Sequence, residues 1–303
     1  MLNSPLMRTV LSFGETLWDL LPTGPALGGA PCNLAYRVNS LGERGVVVTR
    51  LGRDELGRKA ADHLQSLGMD TRHVQWDEAH PTGTVPVTVD ARGIPTYEIL
   101  KDVAYDFIEP TDDLLALAAT ADCICFGSLS QRAPKSQQTL MALLSAASKA
   151  LKFFDINLRR DCYSRSVIER SFFKADILKL NDGEALELRR MFDLPGETPV
   201  DITREILKRW SLKCCVVTLG EEGAFAVAGG REARVPGHSV QVVDTIGSGD
   251  AFSAAFLTCW LRGEPLEECV ASGNALGALV AGTKGATAPI GADEIKRFRL
   301  RNI

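Results

Sequence analysis

Short runs of apolar residues recur along the chain and alternate with segments of helical period. Six runs have the length of a buried strand: Val10–Phe13, Val46–Val48, Cys123–Phe126, Phe153–Ile156, Ile177–Leu180 and Cys214–Leu219. Between them, residues such as Leu56, Ala60 and Leu64 fall on one face of a helix. Buried strands that alternate with amphipathic helices predict an α/β fold, in which helices cover both faces of a mainly parallel sheet. In such folds ligands bind beyond the carboxyl ends of the strands.

Two segments, about 14–28 and 82–101, break this pattern because they are rich in Thr, Pro and Gly. In Thr84–Val89 the valines share one face, which indicates a half-exposed strand. Pro86 favours an edge position or a small, poorly covered sheet. Residues 91–94 would turn the chain into a second strand, Thr96–Leu100. The two segments predict a small β-lid inserted into a single domain of residues 1–303, although ordinary surface hairpins fit the pattern equally well.

Composition narrows the class of protein. The 303 residues include 45% hydrophobic and 24% charged residues, as in a soluble globular protein, and the net charge of −4 argues against nucleic-acid binding. Several of the eight cysteines lie inside apolar runs, no CxxC pair occurs and the four histidines are scattered, so neither disulfides nor a zinc site is expected. The sequence has no secretory leader pattern and no run of 18 apolar residues, which predicts a reduced, cytoplasmic protein without a membrane segment.

The segment Gly247-Ser248-Gly249-Asp250 is followed by an alanine-rich apolar run that predicts a helix. The amide groups of such a turn converge on one point at a helix N-terminus, where an anion is favoured. A carboxylate beside an anion site is a poor phosphate ligand, but it suits a base that takes a proton from an attacking hydroxyl. This pattern indicates phosphoryl transfer to an alcohol. A helix cap after a turn is the alternative for the segment taken alone.

Two upstream features are typical of a polyol site. Gly28-Gly29-Ala30-Pro31-Cys32-Asn33 precedes a predicted helix, Leu34–Leu41, and its paired glycines would let a ligand approach the backbone. Asn33 offers both a donor and an acceptor, although an Asx cap explains it as well. Asp19 stands among apolar residues and would find partners in sugar hydroxyls, or it lies on the lid surface.

Two strand ends have the features of a nucleotide site. Asn181-Asp182-Gly183-Glu184 closes one strand and opens a helix, where a carboxylate could organise water around Mg²⁺ or simply favour the helix terminus. Thr218–Gly223 follows the next strand, and its glycines would admit a nucleotide close to the backbone. Gly52–Gly57 has P-loop spacing, but Arg58-Lys59 follows where Lys-Ser/Thr is required, so the P-loop interpretation fails.

Together these pieces resemble the PfkB (ribokinase-like) carbohydrate kinases over nearly the whole chain. The N-terminal signature of that family is matched by Gly28, Gly29, Pro31, Asn33, Ala35, Gly42 and Gly52, the C-terminal signature by Asp244–Leu257, and the Asn-x-x-Glu element by Asn181–Glu184. The resemblance implies the ribokinase-like three-layer fold and an ATP-dependent kinase that acts on a sugar hydroxyl.

The resemblance also implies roles for individual residues. Asp250 would be the catalytic base, and the amides of Gly247, Ser248 and Gly249 would form the anion hole. The sugar would be held by Asp19, Gly29 and Asn33, and the nucleotide by Asn181, Thr218, Gly220, Gly223 and Asn274, the last on a helix Leu266–Leu279. Glu184 would support Mg²⁺ through water. A monovalent cation such as K⁺ would bind Asp244 and the carbonyls of Ile246 and Gly285.

Within the family, Gly-Gly-Ala-Pro-x-Asn is similar to fructokinases, and Asp155–Arg159 resembles their Asp-Pro-Asn-x-Arg with Ile156 in place of proline. The expected substrate is therefore fructose, with Arg159 and Tyr97 near the sugar, unless Arg159 pairs with Asp161. A kinase of 2-keto-3-deoxygluconate, ribose or a nucleoside is the alternative enzyme, and a sugar-sensing regulator the non-enzyme alternative. The expected partners are a small sugar and ATP, and the lid strands could pair across a homodimer.

Overall fold

A computed structural model describes residues 7–21, 24–89 and 95–301 of the chain. Its first half contains β1 (Thr9–Phe13), β2 (Leu17–Leu21), β3 (Gly24–Gly28), α1 (Ala30–Ser40), β4 (Arg44–Gly52), α2 (Glu55–Ser66), β5 (Val74–Asp77), β6 (Gly83–Val89), β7 (Pro95–Tyr97), α3 (Asp112–Thr120), β8 (Cys123–Phe126), α4 (Pro134–Ala146) and β9 (Leu151–Asp155). Its second half contains α5 (Arg165–Phe172), β10 (Ile177–Asn181), α6 (Asp182–Phe192), α7 (Pro199–Trp210), β11 (Cys214–Thr218), β12 (Ala224–Ala228), β13 (Arg231–Val235), α8 (Ser248–Leu261), α9 (Leu266–Ala281) and α10 (Ala292–Arg301).

Nine strands form one large sheet in the order β13-β12-β11-β10-β9-β8-β1-β4-β5. The seven strands from β11 to β5 are parallel to their neighbours, and β12 and β13 are added antiparallel at one edge. All six predicted strands lie in the parallel part, so the prediction of a mainly parallel sheet is confirmed. The apolar runs did not reveal β5, β12 and β13, which lie at or next to the two edges of the sheet.

Helices cover both faces of the large sheet. Alternate strand residues belong to two separate apolar clusters: Leu11 and Leu178 pack with α3 to α7, whereas Val10 and Ile177 pack with α1, α8 and α9. This division follows from the two-residue period of a strand. It explains why the strand sequences are almost continuously apolar, because both of their faces are buried. The predicted three-layer arrangement is therefore present.

A second, four-stranded sheet has the order β3-β2-β6-β7. Its strands come from the two segments that were predicted to form the lid, and they leave the large sheet after β1 and β5. Pro86 lies on the internal strand β6 and pairs in register with Leu20, so the edge position was wrong and the alternative, a small sheet, was right. Strand β7 ends at Tyr97, earlier than predicted, and the expected turn at 91–94 lies outside the described residues.

Seven of the eight cysteines are buried, and all eight are free thiols, as predicted. In the described part of the chain, none of the helices has the length and apolar character needed to cross a membrane.

Candidate active site

Helix α8 begins with the predicted glycine turn. Gly247 caps the helix with φ of +78°, and a Cβ at this position would collide with Ala286, so both the backbone conformation and the space require glycine. Ser248, Gly249 and Asp250 form the first helical turn. Ser248 Oγ donates a hydrogen bond to the carbonyl of Gly277 on α9 at 2.9 Å. The turn is thus fixed at a helix N-terminus, where free amide groups favour an anion.

Asp250 meets the start of helix α1. Asn33 Nδ2 donates a hydrogen bond to Asp250 Oδ2 at 2.8 Å, although the two residues are 217 positions apart in the sequence. Asn33 is not a helix cap, because Gly29 occupies that position with φ of +114°. The alternative of an Asx cap is therefore wrong. The amide group orients the carboxylate and leaves its Oδ1 for another donor.

A buried ion pair lies under the turn. Lys179 Nζ is 3.1 Å from Asp155 Oδ1, and Ser253 Oγ of α8 donates to Asp155 Oδ2 at 2.6 Å. A Cβ placed on Gly249 would lie 3.3 Å from Lys179 Nζ, so the ammonium group is adjacent to the first turn of α8. Burial alone would lower the pKa of Lys179, but the nearby carboxylates outweigh that effect and raise it. The lysine is therefore a fixed positive charge at the anion site.

The base predicted from sequence has a shifted pKa. Burial, and after it the negative charge of Asp155, raise the pKa of Asp250 to about 6. The hydrogen bond from Asn33 and the charges of Lys179 and Arg159 act in the opposite direction. A carboxylate with a pKa near 6 is ionised at neutral pH and is a stronger base than an ordinary aspartate.

Two further carboxyl groups, those of Glu15 and Asp19, lie on the side of the site that is formed by α1 and the small sheet. Burial raises the pKa of Glu15 to about 7, and burial also raises the pKa of Asp19 on β2. The charge of Arg159 lowers the pKa of both groups as well as that of Asp250, so the guanidinium lies within electrostatic range of all three. Arg159 is exposed, and the ion pair of Asp161 is made by Arg160 instead. Tyr97 is also exposed, on the edge strand β7, and no contact in the described part of the chain joins it to Asp250.

A cavity of about 560 Å³ opens beside the first turn of α8. Its lining includes four of the five residues predicted for the nucleotide, namely Thr218, Gly220, Gly223 and Asn274, together with Ser248 and Gly249. Asn274 Nδ2 donates to the carbonyls of Val235 and Pro236 at 3.0 and 3.1 Å, which fixes the loop after β13. The size and the glycine lining fit a nucleotide whose phosphates reach the α8 N-terminus.

Asn181 lies beside this cavity rather than in its lining. It pairs in register with Thr218 at the carboxyl ends of β10 and β11 and caps helix α6. Its Oδ1 accepts from the amide of Glu184, and Glu184 Oε2 accepts from the amide of Asn181, both at 2.8 Å. Glu184 Oε1 accepts from the amide of Leu158 at 2.7 Å, and burial raises the pKa of this carboxyl. Glu184 therefore stabilises the N-terminus of α6, as one of the two alternatives predicted. Each of its carboxyl oxygens also retains a lone pair, which fits a water molecule bound to Mg²⁺.

The predicted monovalent-cation residues come together behind the turn. Asp244 Oδ1 accepts from the amide of Ile246 at 2.9 Å, and Asp244 Oδ2 accepts from the amide of Gly285 at 3.2 Å. Gly285 has φ of +82°. One carboxylate thus joins the two backbone segments whose carbonyls were predicted to bind the cation. In the described residues, no group of three or more His, Cys, Asp and Glu side chains is arranged to hold a metal ion.

Sequence reasoning did not select Lys179, Asp155, Ser253 or Glu15 as site residues. A signal exists for two of them. On the sheet face that packs against α1, α8 and α9, the apolar residues Phe153 and Ile177 are followed two positions later by Asp155 and Lys179. A charged residue on the buried face of an apolar strand needs a partner, and it marks the strand end as a site.

The family follows from comparison with known proteins. The sequence model described as pfkB family carbohydrate kinase matches residues 23–293. The chain belongs to the pfkB family of carbohydrate kinases. It is therefore a member of a sugar kinase family, and the ribokinase-like fold implied by its motifs is confirmed.

Two relatives and one solved structure illustrate what the chain is similar to. The chain is 32% identical to Fructokinase-1 from Oryza sativa subsp. japonica, with 91% of this chain and 93% of the relative covered. It is 30% identical to 2-dehydro-3-deoxygalactonokinase from Haloferax volcanii, with 95% of each covered. Its fold is similar to that of a fructokinase double mutant from Vibrio cholerae O395 bound to fructose, ADP and potassium ion, with a TM-score of 0.82, 24% identity, and 96% of this chain and 98% of that chain covered.

Proposed function

We propose that this pfkB family member is an ATP-dependent, fructokinase-like enzyme with Asp250 as its base. The observation that carries the proposal is the hydrogen bond from Asn33 to Asp250. It joins the glycine-rich start of α1, where a sugar is expected, to the glycine turn that borders the nucleotide cavity. A hydroxyl bound beside Asn33 and Asp250 would therefore face a phosphoryl group held at the N-terminus of α8.

The residues would divide the work as follows. Asp250 takes the proton of the attacking hydroxyl, and Asn33 holds the carboxylate in position. The amides of the Gly247–Gly249 turn and the ammonium of Lys179 stabilise the negative charge of the transferred group. Bound Mg²⁺-ATP supplies the phosphoryl group, with Glu184 contacting a water of the metal and Asn181, Thr218, Gly220, Gly223 and Asn274 around the nucleotide. Asp244, Ile246 and Gly285 would hold a monovalent cation.

The small sheet would act as a lid. Asp19 on β2, Gly29 and Arg159 would border the acceptor side, and Tyr97 would contribute to it from the edge strand β7. A Cβ on Gly28 would lie 2.9 Å from Asp19 Oδ2, so glycine leaves room for this carboxylate. Exclusion of water by a lid would strengthen the electrostatic contacts around Asp250.

A kinase of 2-keto-3-deoxy sugar acids is the second candidate. The observation in its favour is Arg159, an exposed guanidinium near the acceptor side that could pair with a substrate carboxylate. The three carboxyl groups of Glu15, Asp19 and Asp250 in the same region oppose an anionic substrate, which favours the neutral sugar.

The test is ADP formation with Mg²⁺-ATP across fructose, ribose, 2-keto-3-deoxygluconate and a nucleoside. We expect fructose to give the highest kcat/KM. Activity confined to the sugar acid or the nucleoside would overturn the fructokinase assignment, and ATP and sugar binding without turnover would support the sensor alternative.

A further inference from the structure

Glu15 differs from the other buried carboxyl groups around the site. Glu15 is only 5% exposed, and its Oε2 atom is buried without a hydrogen-bond partner. The buried carboxylates of Asp155 and Glu184, by contrast, have a donor on each oxygen. An unpartnered buried carboxyl oxygen costs free energy that a bound donor would recover.

The position of Glu15 is fixed by close backbone packing. A Cβ on Gly29 would collide with the carbonyl oxygen of Glu15, so only glycine permits the approach of these two segments. Burial raises the pKa of Glu15, while its own amide and that of Ala30, in the first turn of α1, act in the opposite direction. Glu15 is thereby held at the start of the helix that also carries Asn33, the partner of Asp250.

Glu15 and Asp250 line the same small cavity of about 20 Å³. Its other polar lining includes Asp155, Asn157, Ser128 and Ser12, and Ser12 Oγ is also buried without a partner. A cavity of this size holds about one water molecule. This cavity is too small for a sugar, so a bound sugar would reach it with a single hydroxyl group.

The charges around Glu15 restrict what its carboxyl group can bind. The positive charge of Arg159 favours ionisation of Glu15, and the negative charge of Asp250 opposes it. A hydroxyl group can donate to Glu15 whether the carboxyl is charged or neutral, whereas a substrate carboxylate would be repelled by both acidic residues.

We propose that Glu15 is a specificity-determining residue of the acceptor site, whose carboxyl group binds one hydroxyl of a neutral sugar and disfavours a carboxylate in that place. The inference rests on the proposed function, because it concerns the acceptor of the same reaction. The hydroxyl concerned is a different one from the hydroxyl that Asp250 deprotonates.

The test compares the wild-type chain with Glu15→Gln on fructose and on 2-keto-3-deoxygluconate at pH 8, where the carboxyl is charged. Glutamine keeps the shape and an acceptor oxygen but removes the charge. We expect kcat/KM for fructose to fall at least tenfold, mainly through KM, while that for the sugar acid is unchanged or rises. The ratio of the two specificity constants then falls at least tenfold. Glu55→Gln on α2, whose carboxylate is exposed and pairs with Lys59, is the matched control and leaves the ratio unchanged.

Equal losses on both sugars, or no change in the ratio, would overturn the inference, since a merely structural Glu15 affects both substrates alike. Affinity for ATP and the melting temperature, measured on the same variant, identify a folding defect. Glu15→Asp then provides the independent check, because a shorter carboxyl retains the discrimination against the sugar acid if charge determines it. A wild-type chain that forms no ADP with either sugar contradicts the proposed function itself, and the inference with it.

Discussion

The two sides of the α8 turn are built differently. On the nucleotide side, polar groups are already satisfied by the protein: Asn181 and Glu184 form a reciprocal cap, and Asn274 binds two backbone carbonyls. On the acceptor side, Glu15 Oε2 is buried without a hydrogen-bond partner, and Asn33 donates to one oxygen of Asp250. Under the proposed function, the nucleotide side would thus be preformed, whereas the acceptor side would be completed by its ligand. Residues of the two sides should therefore respond differently to substitution.

The largest effect is expected for Asp250→Asn. The amide keeps the shape of the side chain but cannot accept the hydroxyl proton, so kcat should fall about 10³-fold. Calorimetry should find affinities for ATP and fructose within a few-fold of wild type. Asp112→Asn, in the exposed first turn of α3, is the matched control. If turnover of Asp250→Asn stays within a few-fold of wild type, the base has been assigned wrongly.

Lys179→Met should have the next largest effect. It removes the cation beside Gly249 and leaves Asp155 buried and unpaired, so we expect kcat to fall about 10²-fold and stability to fall by about 3 kcal/mol. Steady-state kinetics and urea unfolding measure the two effects. Lys213→Met removes an exposed ion pair with Asp176 and should change neither by much. A Lys179→Met variant with normal kcat would exclude lysine from charge stabilisation.

Glu184→Gln acts on the preformed nucleotide side. The amide can still accept from the backbone of Asn181 but loses the hydrogen bond from the amide of Leu158, so the fold should persist with a loss of about 1–3 kcal/mol in stability. Its weaker interaction with metal-bound water should raise KM for Mg²⁺-ATP about tenfold. The KM for fructose should change by less than a factor of two. An increase in KM that is confined to fructose would contradict the assignment of Glu184 to the nucleotide side.

The smallest effect is a pH-dependent gain in stability. The pKa of Glu15 rises from 4.5 to about 7 on folding, so ionisation opposes folding, and stability is lost as the pH rises through this window. Glu15→Gln removes that loss. The melting temperature of Glu15→Gln minus that of the wild type should be a few degrees larger at pH 8 than at pH 5. This change corresponds to roughly 2 kcal/mol in the free energy of unfolding. A difference that is the same at both pH values would show that Glu15 carries no ionisation penalty.

The sequence predicted the fold where its signal was local. Buried parallel strands need near-continuous apolar runs, and six of them were found in this way. Strand β13, Arg231–Val235, was missed because three of its five residues are charged and only one is buried, so it contains no apolar run. Strand β5 is only four residues long and half-exposed.

The same distinction applies to the site. Gly247–Asp250 and Asn181–Glu184 were found because each motif acts within a few residues. Lys179 and Asp155 were missed because their contact depends on the register of β9 and β10, which places them directly opposite each other. Glu15 was missed because its burial depends on contact with Gly29, 14 positions later. Pairing between distant segments is not encoded in a local pattern.

Whether Asp250 accepts the proton of the sugar hydroxyl can be measured in the pH dependence of single-turnover phosphoryl transfer to fructose. Only the ionised carboxylate can act, and its pKa is raised to about 6. If Asp250 is the base, we expect a rate that is constant above pH 7 and falls about tenfold per pH unit below 6, with no such limb in the residual rate of Asp250→Asn. A wild-type rate that is constant from pH 5 to pH 8, or a limb that persists in Asp250→Asn, would contradict it.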